Sequence, residues 1–383
     1  MMNIHANIVT EQQSRPLRVK RVDATPVALP LTKPMVMAAE RITTAENLIV
    51  RIEADNGLVG WGEATVAPTM TGDTLPGIVA AVRKHMAPLL IGADARDRAE
   101  LARRCRASIE HNGGAKAAVE IALLDLVGKH LGVPCVDLIG GAQRRSVENM
   151  WLLGNPDVAA DIAEAKRKVA EGYGFFKLKV GVKQVEEEIE AAKQARAALG
   201  PDVKLCADAN TGWTAPKARQ YLRGVDGLGL MFLEQPLPND QINGMGALNR
   251  LGILPICGDE CISGGGEILS LGQAGVISGV NLKLIKAEGV TPLLRAAALC
   301  NQIGLSVTLA GKVAGSSVSA AATLAAACAC PVLDWGVNLT HVYLAEDLVR
   351  DPLRLENRRI ELRAAAGLGV DVDEDAVRRF TVP

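Results

Sequence analysis

Aromatic side chains are scarce in this 383-residue chain: four Trp, three Tyr and four Phe. Histidine is nearly as rare. The five present, His5, His85, His111, His130 and His341, include no ligand pair following a strand-like run. A hydrolase that holds its metal on imidazoles would want such a pair, so that chemistry is demoted. No CxxC occurs among the eight cysteines at 105, 135, 206, 257, 261, 300, 328 and 330, which removes the usual zinc motifs. They read as reduced thiols filling a core, which implies a cytoplasmic protein. Charge of one sign is also missing. The net charge is −1 and no long basic or acidic run appears, so no nucleic-acid partner is expected. Residues 1–16 are polar, lack the apolar stretch of a signal peptide, and read as a flexible arm. The uncharged segment from Val313 to Leu333 is built from Ala, Ser and Thr rather than Leu and Ile. It predicts a close-packed helix against a sheet, and no membrane span.

What is abundant is glycine, 38 residues, in a chain that is 49% hydrophobic. That suits many tight strand-to-helix turns around a large core. From Leu17 to about Gly60 the pattern is strand-like, with Asn56-Gly57 as a hairpin signal between two apolar runs. Helical stretches follow at Gly77 to Leu90, Arg96 to Glu110 and Ala115 to Leu131. Strands followed by helices predict an α+β module over 17–140. After Gly140-Gly141 strand-like and helical runs alternate, as in Gly174 to Val180 then Val185 to Leu199, or Gly279 to Leu284 then Val290 to Asn301. With roughly seven or eight such units over 141–357, a closed parallel α/β barrel is expected rather than an open sheet. The remainder, 358–383, is expected to return to the first module.

The polar residues at the strand ends carry the chemistry. Asp208 follows Leu205-Cys206-Ala207, Glu234 follows Met231-Phe232-Leu233, and Asp259-Glu260 follows Ile256-Cys257-Gly258. The intervals are close to the ~30 residues of one βα repeat, so three carboxylates would converge on one barrel mouth. Converging acids repel unless a cation neutralises them, and oxygen donors favour Mg2+, with Mn2+ as the alternative. Lys177 and Lys179 stand at i and i+2 of one strand-like run, so both face one way, while Phe176, Leu178 and Val180 face the other. Lys283 lies in a later strand across the barrel. A lysine crowded by cations loses its proton more readily and serves as a base. Two such bases with a metal make a constellation for α-proton transfer. A non-catalytic barrel would have no reason to keep these buried charges together.

These motifs resemble the enolase superfamily, in its mandelate racemase/muconate lactonizing enzyme family. The carriers are Lys177-Leu178-Lys179, Asp208-Ala209-Asn210, Glu234-Gln235-Pro236, Gly258-Asp259-Glu260 and Asn281-Leu282-Lys283-Leu284, with Trp61-Gly62-Glu63 and Leu138-Ile139-Gly140-Gly141. The resemblance implies a modified TIM barrel, (β/α)7β, under an α+β capping domain, and a homo-oligomer. It implies Mg2+ on Asp208, Glu234 and Asp259, Lys179 and Lys283 as the acid/base pair, and Lys177 holding the substrate carboxylate and depressing its neighbour's pKa. Asn210 and Glu260 would stand beside the metal. Capping loops at about Leu29 to Thr44 and Trp61 to Gly72 would close over a small carboxylate. The implied reaction is a muconate-type cycloisomerisation, with racemisation or epimerisation of an amino-acid derivative, or dehydration, as alternatives. The chain departs from the pattern where Ala314 or Gly315 stands in place of an acid after the seventh strand. Lys312 there is read as meeting a second anionic group or as a surface lysine. Trp335 is read as offering its ring to a cationic substrate or as closing the barrel.

Overall fold

The computed structural model describes residues 15–38 and 40–383, so residues 1–14 of the expected arm lie outside it. Three antiparallel strands open the described chain: β1 (Val19–Val36), β2 (Arg41–Ala54) and β3 (Val59–Thr65), in that order across one sheet. The β2–β3 connection is the expected hairpin. Gly57 takes φ +84°, which an L side chain resists, and donates its N–H to Ala54 O at 3.0 Å.

A helix, α1 (Gly113–Leu131), packs across this sheet. Its sequence is apolar nearly all round, and residues 114 to 128 are buried, as a helix covered on both faces requires. Gly60 and Gly62 of β3 allow the approach. A Cβ on Gly62 would lie 1.9 Å from Ala118 O, and one on Gly60 would lie 2.2 Å from Ala122 O.

Eight parallel strands then form the second sheet: β4 (Trp151–Leu153), β5 (Phe175–Lys179), β6 (Lys204–Asp208), β7 (Leu230–Glu234), β8 (Ile256–Gly258), β9 (Gly279–Leu282), β10 (Ser306–Ala310) and β11 (Val337–Asn338). They are ordered as they occur in the chain. Asn149, just before β4, bridges Val337 of β11, and Met150 N–H donates to Val337 O at 2.7 Å. The sheet therefore curls into a nearly closed barrel.

Helices occupy all seven crossovers: α2 (Val158–Ala170), α3 (Val185–Leu199), α4 (Ala215–Gly224), α5 (Ile242–Asn249), α6 (Gly265–Gln273), α7 (Val290–Ile303) and α8 (Ser317–Ala329). This is the (β/α)7β barrel with an α+β cap that the sequence implies. The uncharged segment is α8, almost wholly buried. Among the described residues no helix is long and apolar enough to cross a membrane.

Buried carboxylates join cap to barrel by meeting unsatisfied N–H groups at barrel helix starts. Glu120 of α1 accepts from Val290 N at 2.9 Å and Thr291 Oγ1 at 2.7 Å, at the start of α7. Glu63 of β3 accepts from Ser316 N, Ser316 Oγ and Ser319 N at the start of α8. The chain end runs back along β1, where Ala28 N–H donates to Phe380 O and Val382 N–H to Pro26 O.

Candidate active site

Along four neighbouring strands, β5 to β8, the inward line is apolar at the bottom and charged at the top. Phe175, Cys206, Phe232 and Cys257 meet Met150 and Trp335 in one buried cluster. Two residues further along the same strands, or just past their ends, stand Lys177, Asp208, Glu234 and Asp259, and Lys179 comes two after Lys177. The period of two along a strand puts each charged residue on the face of its apolar predecessor, one step nearer the mouth. The plug closes the floor, so the polar groups open toward the cap.

At the mouth Asp208, Glu234 and Asp259 are each held by a lysine. Lys177 Nζ donates to Glu234 Oε2 at 2.5 Å, and Asn281 Nδ2 to Glu234 Oε1 at 2.7 Å. Lys179 Nζ donates to Asp208 Oδ2 at 2.6 Å and to Asn210 Oδ1 at 2.7 Å. Asp259 is held from both sides. Lys283 Nζ binds its Oδ2, while Lys286 Nζ donates to Oδ1 and to the backbone oxygen, both at 2.6 Å. Asn210 links onward, donating to Glu260 Oε1 at 3.1 Å. Gln235 Oε1 accepts from Asp259 N at 3.0 Å, tying the end of β7 to that of β8.

The crowding of acids shows in the proton affinities of Glu234 and Glu260. Burial of Asp208 is instead outweighed by Lys179 and Lys177, and burial of Asp259 by Lys283 and Lys286, so both of those are held low. Burial pushes Glu234 up, and the nearby Asp208 and Asp259 carboxylates add to it against the pull of Lys177 and Lys283. Glu260 is pushed up to about 7 by burial and by Asp259 and Asp208. Among the described residues its Oε2 is buried without a hydrogen-bond partner, as is Asn281 Oδ1. Burial opposes charge on Lys177 as well, yet the Glu234 and Asp208 carboxylates outweigh it and hold Lys177 well above its ordinary value. Lys283 is raised in the same way, burial being outweighed by Asp259, Glu234 and Glu260. At Lys177 and Lys283 the lowering expected from neighbouring cations is therefore not displayed. The carboxylates dominate, because each lysine lies nearer an acid than another cation.

The cavity over these groups is small, about 60 Å3, and is shared by barrel and cap. Met37, Glu40, Thr69 and Met70 reach it from the two capping loops. Met70 Sδ lies 3.6 Å from Lys283 Nζ. On the far wall Lys312, 8% exposed, is ion-paired to Glu40. Burial pushes the Lys312 ammonium down to about 8. A larger cavity of about 180 Å3 lies between α2 and α3, lined mainly by apolar residues, and shares Lys179 with the mouth.

Comparison with known proteins decides the ancestry. Residues 160–376 match the family described as enolase C-terminal domain-like, and residues 20–140 match the N-terminal domain of the mandelate racemase / muconate lactonizing enzyme family. The chain belongs to the enolase superfamily. It is an enzyme of the isomerase kind. A chloromuconate cycloisomerase of Cupriavidus necator is 29% identical over 95% of this chain and 99% of its own. The L-Ala-D/L-Glu epimerase of Bacillus subtilis (strain 168) is 30% identical over 76% of this chain and 79% of its own. A solved muconate lactonizing enzyme from Pseudomonas fluorescens, complexed with muconolactone, superposes with a TM-score of 0.93 at 28% identity, over 96% of this chain and all of that one. An N-succinyl Arg/Lys racemase from Bacillus cereus ATCC 14579 gives 0.91 at 26%, over 96% and 99%.

Within this superfamily frame the structure brings Lys177, Lys179, Lys283, Asp208, Glu234, Asp259, Asn210 and Glu260 together at one mouth. Among the described residues no three acids, histidines or cysteines are grouped as metal ligands in this arrangement, since the carboxylates are turned onto lysines. Lys312 lines the same cavity and is not a surface lysine. Trp335 does not line it. Asp334-Trp335-Gly336 precedes β11, which places the ring at the barrel floor, stacked on Phe232 with centroids 4.5 Å apart. It closes the barrel, and the reading of a ring for a cationic substrate is corrected.

Two residues at the site escape the sequence patterns. Lys286 sits on the single helical turn Leu284–Ala287 after β9, and its signal is a charge three residues after Lys283 inside an apolar run. Glu40 lies between β1 and β2, where no periodicity singles it out.

Proposed function

We propose that this enzyme works through the enolate of a small carboxylate, with Lys179 and Lys283 as the candidate acid and base at the α-carbon, and acts as a muconate-type cycloisomerase, for which one of the two lysines suffices. The observation that carries the reading is the placement of these lysines. They stand at the ends of β5 and β9, four strands apart in an eight-stranded barrel, each buried on a carboxylate at the mouth. Side chains half-way round a barrel approach a carbon held between them from opposite sides.

A hard divalent ion, Mg2+ or Mn2+, suits the donor set. Asp208, Glu234 and Asp259 offer buried oxygens from three successive strands, and their mutual repulsion, with the unpartnered Glu260 Oε2, is what a cation relieves. The chemistry such an ion supplies is positive charge against the negative charge that develops on a substrate carboxylate. Lys177, buried on Glu234 and lining the cavity, is placed to hold that carboxylate. Lys179, steadied by Asn210, and Lys283, steadied against Met70, are the groups that take and return the proton. Lys286 keeps Asp259 oriented while Lys283 works.

Cycloisomerisation is supported by relatives of that activity that align along nearly the whole chain. Racemisation or epimerisation of an amino-acid derivative is the second reading, favoured by the like pairing of both lysines with carboxylates and by the fit to the racemase. Incubation with Mg2+ and cis,cis-muconate tests the first, with lactone formation followed by NMR. Lactone formed by Lys283→Ala or Lys179→Ala alone would agree with one-base cycloisomerisation. No lactone, with stereochemical scrambling of N-acylamino acids or dipeptides instead, would hand the assignment to the second.

A further inference from the structure

The cavity between α2 and α3 is larger than the one at the mouth, about 180 Å3 against 60 Å3, and the proton-transfer machinery does not use it. Packed interiors leave few voids larger than a water. This one exists because the helix residues that line it are short. Ala165 of α2 and Ala191, Ala192 and Ala195 of α3 face the space that Leu178 and Val180 close from β5 and its end. Methyl groups do not span that gap.

The space is separate from the mouth. Of its lining residues Lys179 alone is shared with the smaller cavity. The Lys179 ammonium is turned onto Asp208, and a Cβ on Gly154, another wall residue, would lie 3.2 Å from Lys179 Cβ. The lysine stem and Gly154 therefore form a partition, and Asp208, Glu234 and Asp259 do not line the larger side.

The polar rim offers little to water. Asp161 Oδ1 accepts from Asn155 N at 2.9 Å and from Asn155 Nδ2 at 2.8 Å. Glu188 Oε1 accepts from the Val182 and Lys183 N–H groups, both at 2.9 Å, and Oε2 from Trp213 Nε1 at 3.2 Å. Burial pushes the Asp161 carboxyl up in spite of the Asn155 bonds, as a poorly hydrated setting does. A water held in such a space needs about two to four polar partners, and these acids are already engaged. At the lip Val182 is 52% exposed, an apolar side chain left facing solvent.

We infer that this cavity is a second binding site, for a neutral apolar molecule about the size of a benzene ring. An apolar cavity of about 150 Å3 stays dry and takes up benzene. The present one is slightly roomier. The Asp161 and Glu188 carboxylates at the rim repel an anion, and their hydrogen bonds to the protein leave little for a cation. The site does not depend on which reaction the mouth performs.

The test is a fluorine NMR titration of the full chain with fluorobenzene and with 4-fluorobenzoate, alongside Ala192→Leu and Ala191→Leu. Fluorobenzene is expected to bind the parent with a Kd of about 1 mM, within what so small a ligand can supply. Either leucine fills the space, so each variant is expected to weaken fluorobenzene at least about tenfold. Ala191 is only half-buried, so its variant decides alone if Ala192→Leu does not fold. The parent is expected to bind 4-fluorobenzoate at least about tenfold more weakly than fluorobenzene. No binding of fluorobenzene at about 10 mM overturns the inference and leaves the space a packing void. Binding that the folded leucine variants retain overturns it as well, because the probe then sits elsewhere. Tighter binding of 4-fluorobenzoate, lost in Lys183→Met, would replace the neutral ligand with an anionic one.

Discussion

Lys179 and Asp208 are opposite each other in the parallel register of β5 and β6, and their side chains meet at 2.6 Å, each less than a tenth exposed. A buried ion is tolerated only while its counter-ion stays. Asp208→Leu is therefore expected to lower the unfolding free energy by about 3–5 kcal/mol, because it strands Lys179. Lys179→Met added to it should recover most of that loss, since the pair is then replaced by apolar groups. Denaturant unfolding of both single variants and the double variant checks this. Losses that simply add would mean the pair is not coupled.

Divalent metal is expected to stabilise the fold through the same acids. At a Mg2+ concentration about 100 times Kd, the gain is about 2.7 kcal/mol, read as a rise in melting temperature that EDTA reverses. Asp208→Leu or Asp259→Leu should remove most of this response. A melting temperature indifferent to Mg2+ and Mn2+ would speak against the metal.

The Glu63 carboxyl predicts a pH dependence of the cap–barrel contact. Burial raises it from 4.5 to about 7, ahead of the Ser316 and Ser319 hydrogen bonds that favour its ionised form, while Asp347 near the start of α8 pushes it further up. For an acid raised in the fold, the stabilisation is full below 4.5 and is lost as the pH climbs through 7. The span corresponds to about 3 kcal/mol. Glu63→Gln does not titrate, so its melting temperature relative to the parent should rise between pH 5 and pH 8. A constant gap would show that Glu63 is ionised throughout.

Gly62→Ala is expected to cost at least about 1–3 kcal/mol, the range of overpacked cores, since its methyl would overlap Ala118 O and Ala122 N of α1. Gly57→Ala meets no atom within 4 Å and is strained only by its positive φ, so it should cost less. Thermal unfolding of the two variants compares them. Equal losses would show that the close helix–sheet approach carries no weight.

Much of the site is legible in the sequence because a strand advertises itself. Lys177 and Lys179 at i and i+2, and Asp208, Glu234 and Asp259 each following an apolar run, report a shared face and a shared end of the barrel without knowledge of any partner. Trp335 shows the limit of that logic. An aromatic near a strand is noticed, but only its place before β11 tells that it belongs to the floor. Glu63 and Ser316 are 253 residues apart, and Glu40 and Lys312 are 272 apart. Those contacts depend on how the cap seats on the barrel, which no local period encodes. The expected direction of the pKa shift failed at Lys177 and Lys283 for a related reason. The i, i+2 pattern reveals a neighbouring cation, whereas the acids that outweigh it come from other strands.

The central claim is that Lys179 and Lys283 exchange a substrate α-proton. The most direct measurement is deuterium incorporation by NMR in D2O with Mg2+, using muconolactone and a panel of N-acylamino acids and dipeptides. Lys179→Ala and Lys283→Ala would be run alongside the parent. Metal-dependent incorporation by the parent is expected on at least one acid, reduced about 10²–10⁴-fold in a lysine variant whose fold is intact. Incorporation that persists without metal, or that neither lysine variant diminishes, would contradict the account.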